Sequence, residues 1–116
     1  MLLTYFPQTL YFKYPFKIAH GVRSSTPVVI VKLEYEGVVG YGEASMPPYL
    51  GESHETVISF LEKAKPILSE QTYPFDISEV LTEIDQLAEK NTAAKASIDI
   101  ALHDLLAKMQ DQRVWQ

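Results

Sequence analysis

The sequence predicts an α+β fold, a three-stranded antiparallel sheet followed by a three-helix bundle, on three observations. Val28 to Ala44 alternates around Glu36-Gly37 in the manner of a β-hairpin. Leu2 to Lys13 is dense in Leu, Tyr and Phe and supplies a further strand. From Ser53 onward the apolar residues recur at helical spacing.

The first strand, Leu2 to Lys13, is expected to be broken or bulged near Pro7 and to pair with the hairpin. In the hairpin, a two-residue turn places Tyr35, Leu33, Val31 and Val29 on one apolar face with Val38, Gly40, Gly42 and Ala44. Glu34, Lys32, Tyr41 and Glu43 then share the other face with Val28 and Ile30. Glu-Gly suits a primed turn less well than Asn-Gly, so a three-residue loop stays open, and a slip of one residue would exchange the faces. A hairpin begins and ends at the same end of its sheet. Phe16 to Pro27, with His20, Gly21, Arg23 and three hydroxyls, must therefore emerge beside Ser45 to Glu52, with two prolines, a tyrosine and a glycine. Loops gathered on a rigid scaffold are where binding residues concentrate.

In the first helix Val57, Phe60, Leu61, Ala64 and Leu68 form one face, Ser53 is the N-cap and Glu55 favours the first turn. Pro66 is expected to kink this helix, or to end it and start another turn. A loop from Glu70 to Phe75 leads to a second helix, where Asp76-Ile-Ser-Glu79 matches a capping box and Ile77, Val80, Leu81, Ile84 and Leu87 make the buried stripe. Asn91 or Thr92 caps a third helix from Ala93 to about Met109. Ala94, Ile98, Ala101, Leu102, Leu105 and Met109 lie on one side of it, and Ala93, Ala96, Ile100 and Ala107 on the other. A helix apolar on two sides needs two neighbours. The sheet and the other helices supply one.

A chain of 116 residues, 47% apolar and 22% charged, has the composition of one globular domain with one core. Its net charge of -5 argues against nucleic acid as a partner, because phosphate binding needs a basic face. With no cysteine it has no thiol chemistry, which is compatible with a reducing cytoplasm. No signal peptide is read at the N-terminus, and no apolar run approaches the roughly 20 residues of a membrane span. A cytoplasmic location is the expectation.

No catalytic set assembles from these residues. His20, His54 and His103 have no metal-binding spacing and read as surface or packing residues. Glu43, at the hairpin's end, reads as an acceptor for loop N–H groups. Gly40 and Gly42 sit on a strand and not at a helix N-terminus, so they read as room for a close neighbour or a bulge and not as a phosphate loop. Arg23 could hold a carboxylate bidentately, against the plainer role of a solvated side chain. Met46, Tyr49 and Leu50, stiffened by Pro47-Pro48, offer an apolar wall with one hydroxyl, suited to covering something.

Taken in order, Pro15-Phe-Lys17, Val28-Val-Ile-Val31, Gly40-Tyr-Gly-Glu-Ala44, the Pro-rich segment with its helix, and Ala93-Ala-Lys-Ala-Ser-Ile-Asp-Ile-Ala-Leu-His-Asp104 resemble the N-terminal capping domain of the enolase superfamily. Within it the chain resembles the mandelate racemase and muconate lactonizing type, and GYGEASMPPYLGE is most similar to the dipeptide epimerases. The resemblance covers essentially the whole chain. It implies an α+β cap over a modified TIM barrel, in which barrel lysines abstract the proton α to a carboxylate and a Mg2+ ion on three acidic residues stabilises the enediolate.

The cap would contribute two mobile loops that close over the barrel mouth and set specificity, here His20 to Thr26 and Pro47 to Glu52. Arg23, Tyr49, Leu50 and His20 become the candidate substrate contacts. Residues 1–91 correspond to the cap, and residues 92–116 to a helix leading towards a barrel domain of the same enzyme. That barrel, its lysines and its metal carboxylates are missing from this chain, so no catalytic or Mg2+-binding residue carries over, and the chain by itself is expected to be inactive. The substrate expected is a dipeptide; a muconate cycloisomerase or an o-succinylbenzoate synthase is the nearer enzyme alternative. From another class, the chain could be a free-standing α+β module that binds a ligand or partner through its paired loops and forms a homo-oligomer through the third helix.

Overall fold

The computed structural model describes residues 1–11, 25–45 and 53–115. Three antiparallel strands, β1 (Leu2–Tyr11), β2 (Ser25–Tyr35) and β3 (Val38–Ser45), lie side by side in that order. Three helices follow, α1 (His54–Ser69), α2 (Ile77–Asp85) and α3 (Thr92–Trp115).

The hairpin closes through a two-residue turn, with Tyr35 opposite Val38, Leu33 opposite Gly40, Val31 opposite Gly42 and Val29 opposite Ala44. Glu36 (φ 50°) and Gly37 (φ 82°) both have positive φ, as a primed turn requires. Leu33, Val31 and Val29 are fully buried on the inner face. Leu3 and Tyr5 of β1 lie opposite Leu33 and Val31 and extend that face.

Three sequence expectations are corrected here. β1 runs through Pro7 without a break or a bulge, Pro7 standing opposite Val29 in an unbroken register. β1 is an edge strand, where every second N–H points away from the sheet and a proline costs no ladder bond. Ser25, Thr26 and Pro27 belong to β2 and not to a loop, opposite Tyr11, Leu10 and Thr9. The described register of β3 ends at Ser45, opposite Val28, one residue short of Pro27. Pro66 does not end α1, which continues to Ser69. It falls in the last turn, and the Ser69 hydroxyl donates to its carbonyl at 2.9 Å. Lys13, the expected end of the first strand, lies outside the described residues.

α1 starts at Ser53 with a full capping box. Ser53 Oγ accepts from Thr56 N–H at 3.3 Å, and Thr56 Oγ1 accepts from Ser53 N–H at 2.8 Å. Val57, Phe60, Leu61, Ala64 and Leu68 are all buried. The helix is tied to the sheet at its far end, where the Met1 amine donates to the Leu68 carbonyl at 3.0 Å. In α2 the Asp76 carboxylate accepts from Glu79 N–H at 3.2 Å; Val80 and Ile84 are buried, with Ile77 and Leu81 partly buried against the core, as is Leu87 just beyond the helix end at Asp85. The segment before it packs back on the hairpin: Tyr73 N–H donates to the Tyr35 hydroxyl at 3.1 Å, and the Tyr35 and Phe75 rings meet edge to face at 4.9 Å.

α3 begins at Thr92, with the Asn91 carbonyl accepting from Lys95 N–H at 2.9 Å and the Asn91 side-chain amide donating to Thr56 O of α1 at 3.2 Å. It runs on to Trp115, past the expected end near Met109, because no glycine or proline interrupts Gln110 to Trp115. Its inner residues Ala94, Ile98, Ala101, Leu102, Leu105 and Met109 are buried. They lie along β3, where the glycines decide the spacing. A Cβ on Gly42 would land on the Ser97 carbonyl, and one on Gly40 would stand 2.5 Å from Leu105 N and 2.7 Å from Leu105 Cβ. The obstructing atoms are mostly backbone, so the helix as a whole would have to move.

Gly42→Ala is expected to lower the unfolding free energy by about 3 kcal/mol, the upper range for overpacking a tight site. Urea unfolding of the two proteins measures it, and a loss below about 1 kcal/mol would mean that α3 is not held this closely.

Candidate functional site: the end of the sheet where two segments leave

The register brings the ends of both candidate segments to one end of the sheet. Tyr11 and Ser25, which flank residues 12–24, stand opposite each other, and Ser45, where β3 ends, stands opposite Val28. α1 starts beside them. His54, its first residue, places Nε2 at 3.1 Å from Gln8 O of β1 and 3.0 Å from Val28 O of β2. Both neighbours are carbonyl acceptors, so Nε2 must carry a hydrogen, which it shares between them. The sequence reading gave His54 a surface or packing role; the tie it makes was not visible in the sequence, where the histidine stands 46 residues from Gln8.

Of the sequence-named site residues, Arg23, His20, Tyr49 and Leu50 lie outside the described residues, as does Met46. Glu43 is exposed, and its carboxylate accepts from the Ser45 hydroxyl at 3.1 Å; the loop N–H groups expected to donate to it lie outside the described residues. Among the described residues no group of three His, Asp or Glu could hold a metal ion. The described part of this chain therefore does not fit a Mg2+ site. His103 is exposed and sits beside Asp99 on the outside of α3, Nδ1 to Oδ1 at 2.8 Å. Among the described residues no helix is long and apolar enough to cross a membrane.

The polar contacts that sequence reasoning missed are on the free edge of β3. The Tyr41 N–H, which has no strand partner on that side, donates to Asp104 Oδ2 of α3 at 2.9 Å. The Lys108 ammonium donates to the same oxygen and to the Val39 carbonyl, both at 2.9 Å, and lies 5.4 Å from the centre of the Tyr41 ring. The i,i+4 spacing of Asp104 and Lys108 was the available signal. Two helix side chains thus occupy the edge where another strand could add. The Lys108 hydrogen bond, and then the Tyr41 N–H, hold the Asp104 carboxyl below its ordinary value.

A second region faces outwards. Ala96 and Ala107 are exposed on α3, and Ile100 is 54% exposed between them. Ala96 and Asp99 also line a cleft of about 660 Å³ between α2 and α3, with Leu81, Ile84, Asp85 and Lys95. Inside it the Lys95 ammonium pairs with Asp85 at 2.9 Å and donates to the Ala88 carbonyl. Of the second apolar side expected of the third helix, Ala93 packs partly against the core, and Ala96, Ile100 and Ala107 are uncovered among the described residues.

A sheet with one helix laid along its glycine-bearing edge strand, and two chain segments leaving one sheet end, is the architecture of a capping domain. Residues 3–116 match the model of the mandelate racemase / muconate lactonizing enzyme N-terminal domain, and the chain belongs to that family. It is 50% identical over 109 residues to the L-Ala-D/L-Glu epimerase of Bacteroides thetaiotaomicron, a match covering 94% of this chain and 28% of that protein. The dipeptide epimerase of Enterococcus faecalis V583, solved with Mg and the dipeptide L-Leu-L-Tyr, superimposes with a TM-score of 0.81 at 30% identity, covering 94% of this chain and 31% of that one. The L-Ala-D/L-Glu epimerase of Bacillus subtilis, solved with substrate bound, gives 0.80 at 29% identity, over 92% and 30%. The chain thus spans under a third of the length of these relatives, and contains no barrel.

Asp104→Ala is expected to cost about 1 kcal/mol at neutral pH, as for a partly exposed hydrogen-bonded pair. The carboxyl is depressed in the folded state, so its contribution is present above the ordinary carboxylate range and is lost as pH falls through the lowered value. The stability gap between wild type and variant should therefore close on acidification below about pH 4. Denaturant titrations between pH 7 and pH 2.5 check it; a gap independent of pH would remove the charge from the account.

Proposed function

We propose that this chain is the capping, specificity-setting part of a Mg2+-dependent dipeptide epimerase, which moves a proton at the carbon α to a carboxylate. The observation that carries the reading is the half-identity, over nearly the whole chain, to an L-Ala-D/L-Glu epimerase. Residues 1–91 would form the cap, and residues 92–116 the helix that leads to a barrel domain of the same enzyme. On this reading the exposed side of α3 around Ile100 packs against the barrel, which would supply the lysine bases and the metal carboxylates. The chain without that barrel would not catalyse the reaction. The enzyme would act in the cytoplasm.

His20 to Thr26 and Pro47 to Glu52 would lie over the barrel mouth, with Arg23, Tyr49, Leu50 and His20 as the substrate contacts. Arg23 is the residue suited to a substrate carboxylate. A second reading, a free-standing module that binds a ligand through the same segments and dimerises through α3, draws on the same exposed Ile100.

The native gene product, with Mg2+ in heavy water, is expected to exchange the α-proton of L,L- or L,D-dipeptides, read by the loss of the NMR signal. If no dipeptide exchanges, the epimerase reading is wrong, and muconate cycloisomerase or o-succinylbenzoate synthase activity becomes the next assay. Arg23→Ala in that protein is expected to weaken binding of an anionic dipeptide by about tenfold or more, the loss of one charge-assisted contact. Unchanged affinity would take Arg23 out of the site.

A further inference from the structure

The helices cover one face of the sheet, and the other face is not what a solvated face usually is. An antiparallel sheet packed on one side ordinarily turns polar residues to the water on the other. Here the large apolar side chains exposed among the described residues are Leu2 (61%), Phe6 (47%), Tyr41 (49%) and Ile100. The first three share the outer face, alternating with the buried Leu3, Val31 and Leu33 of the inner one. Ile30 stands between Phe6 and Glu43 in the register, and Lys32 between Thr4 and Tyr41. The exposed patch ends at Val28, the next residue of β2 on that face, which is fully buried.

Two charges lie in the middle of this patch. Lys32 and Glu34 are two residues apart on β2, so both side chains stand on the outer face. Their charged atoms are 3.7 Å apart, beyond hydrogen-bond length, and both side chains are partly exposed. So loose a pair leaves capacity on both groups for a further partner. Their order along the strand makes the face complementary to itself. With a second copy laid face to face about a two-fold axis that crosses the strands midway between them, Lys32 stands opposite the partner's Glu34, and the reverse contact follows by symmetry. Tyr41 then meets the partner's Val39, its neighbour on the same face. An axis running along β2 would instead set Lys32 on Lys32, and like charges disfavour it.

The other possible occupants are placed elsewhere. A strand adding at the β3 edge would meet Asp104 and Lys108. A barrel docked on the outer side of α3 stands across the sheet from this face, a clause that rests on the epimerase reading.

We propose that the outer face of the sheet, centred on Lys32 and Glu34 with Leu2, Tyr41 and Phe6 around them, is an isologous docking surface for a second copy of this chain. The patch is smaller than a standard interface, so the association is weak and concentration-dependent.

Sedimentation of the native gene product over a concentration series, beside Lys32→Glu and Glu34→Lys, tests it. Each reversal replaces both attractive pairs of the dimer with like-charge pairs, and each is expected to raise the dissociation constant about tenfold or more. Melting temperatures should stay close to wild type, because an exposed ion pair contributes little. Both reversals also break the Lys32–Glu34 pair within the chain, and an equimolar mixture of the two variants separates the effects. In a mixed dimer both contacts are again between opposite charges, while each chain still lacks its internal pair. The mixture is expected to recover the wild-type dissociation constant to within about threefold.

A product that stays monomeric at every concentration would overturn the proposal. So would reversals that leave association unchanged, or a mixture no tighter than the variants alone. The readout is association and not turnover, so the two readings fail separately. If the product associates as described and exchanges no dipeptide proton, the face stands and the epimerase reading falls; exchange without this association removes the face alone.

Discussion

The approach of α3 to β3 at backbone distance is the contact on which the rest of the structure depends. It exists because Gly40 and Gly42 lack the atoms that would meet the Ser97 and Ala101 carbonyls and the Leu105 backbone. Once the helix is there, Leu105, Leu102 and Ile98 close the inner face over Leu33 and Val31, and Ser97 is buried with its hydroxyl donating to the Ala94 carbonyl at 2.6 Å. The same placement brings Asp104 and Lys108 to the edge of β3 and turns Ile100 outwards. Packing, edge protection and an outward apolar face are thus three results of one short distance.

The other end of the architecture is the anchoring of α1. It is tied to the first strand through Met1 and Leu68, and to the first two strands through His54. Helices docked at both ends have little freedom to slide, so the sheet end from which two segments leave is a fixed frame. A capping domain needs such a frame if its job is to present segments to a partner domain in one arrangement. Among the described residues the frame carries no group of three His, Asp or Glu that could hold a metal ion.

Much of this was legible in the sequence because burial imposes periodicity. The five buried residues of α1, the inner stripe of α3 and both faces of the hairpin follow from spacing, since a sheet with one buried face admits one register. The Gly40 and Gly42 pair was legible as room for a neighbour, though not which neighbour. Edges were less so: Pro7 looks like a break on a linear reading and is harmless on the edge strand β1, where one side has no strand partner. Pro66 did not end its helix, which runs on to Ser69. The Thr56 half of the α1 cap was missed because the usual box residue is Glu or Gln, and a threonine hydroxyl did the same work. His54 and Asp104 act across 46 and 63 residues of chain, and no local pattern encodes such distances. Arg23, His20, Tyr49 and Leu50 lie outside the described residues, and their placement over a substrate remains a proposal.

The central claim is that the outer side of α3 is an interface within one longer chain. Alkylation of Ile100→Cys in the native gene product tests it, with Glu62→Cys as an exposed control, each read by mass on the peptide that carries the introduced thiol, since the 116 residues hold no other cysteine. Ile100 is 54% exposed, so among the described residues nothing should protect a thiol at that position. The account predicts that the thiol at position 100 reacts far more slowly than the control, and equally slowly at every protein concentration. Reaction as fast as the control would contradict it, and protection that disappears on dilution would assign the face to a second copy of the chain.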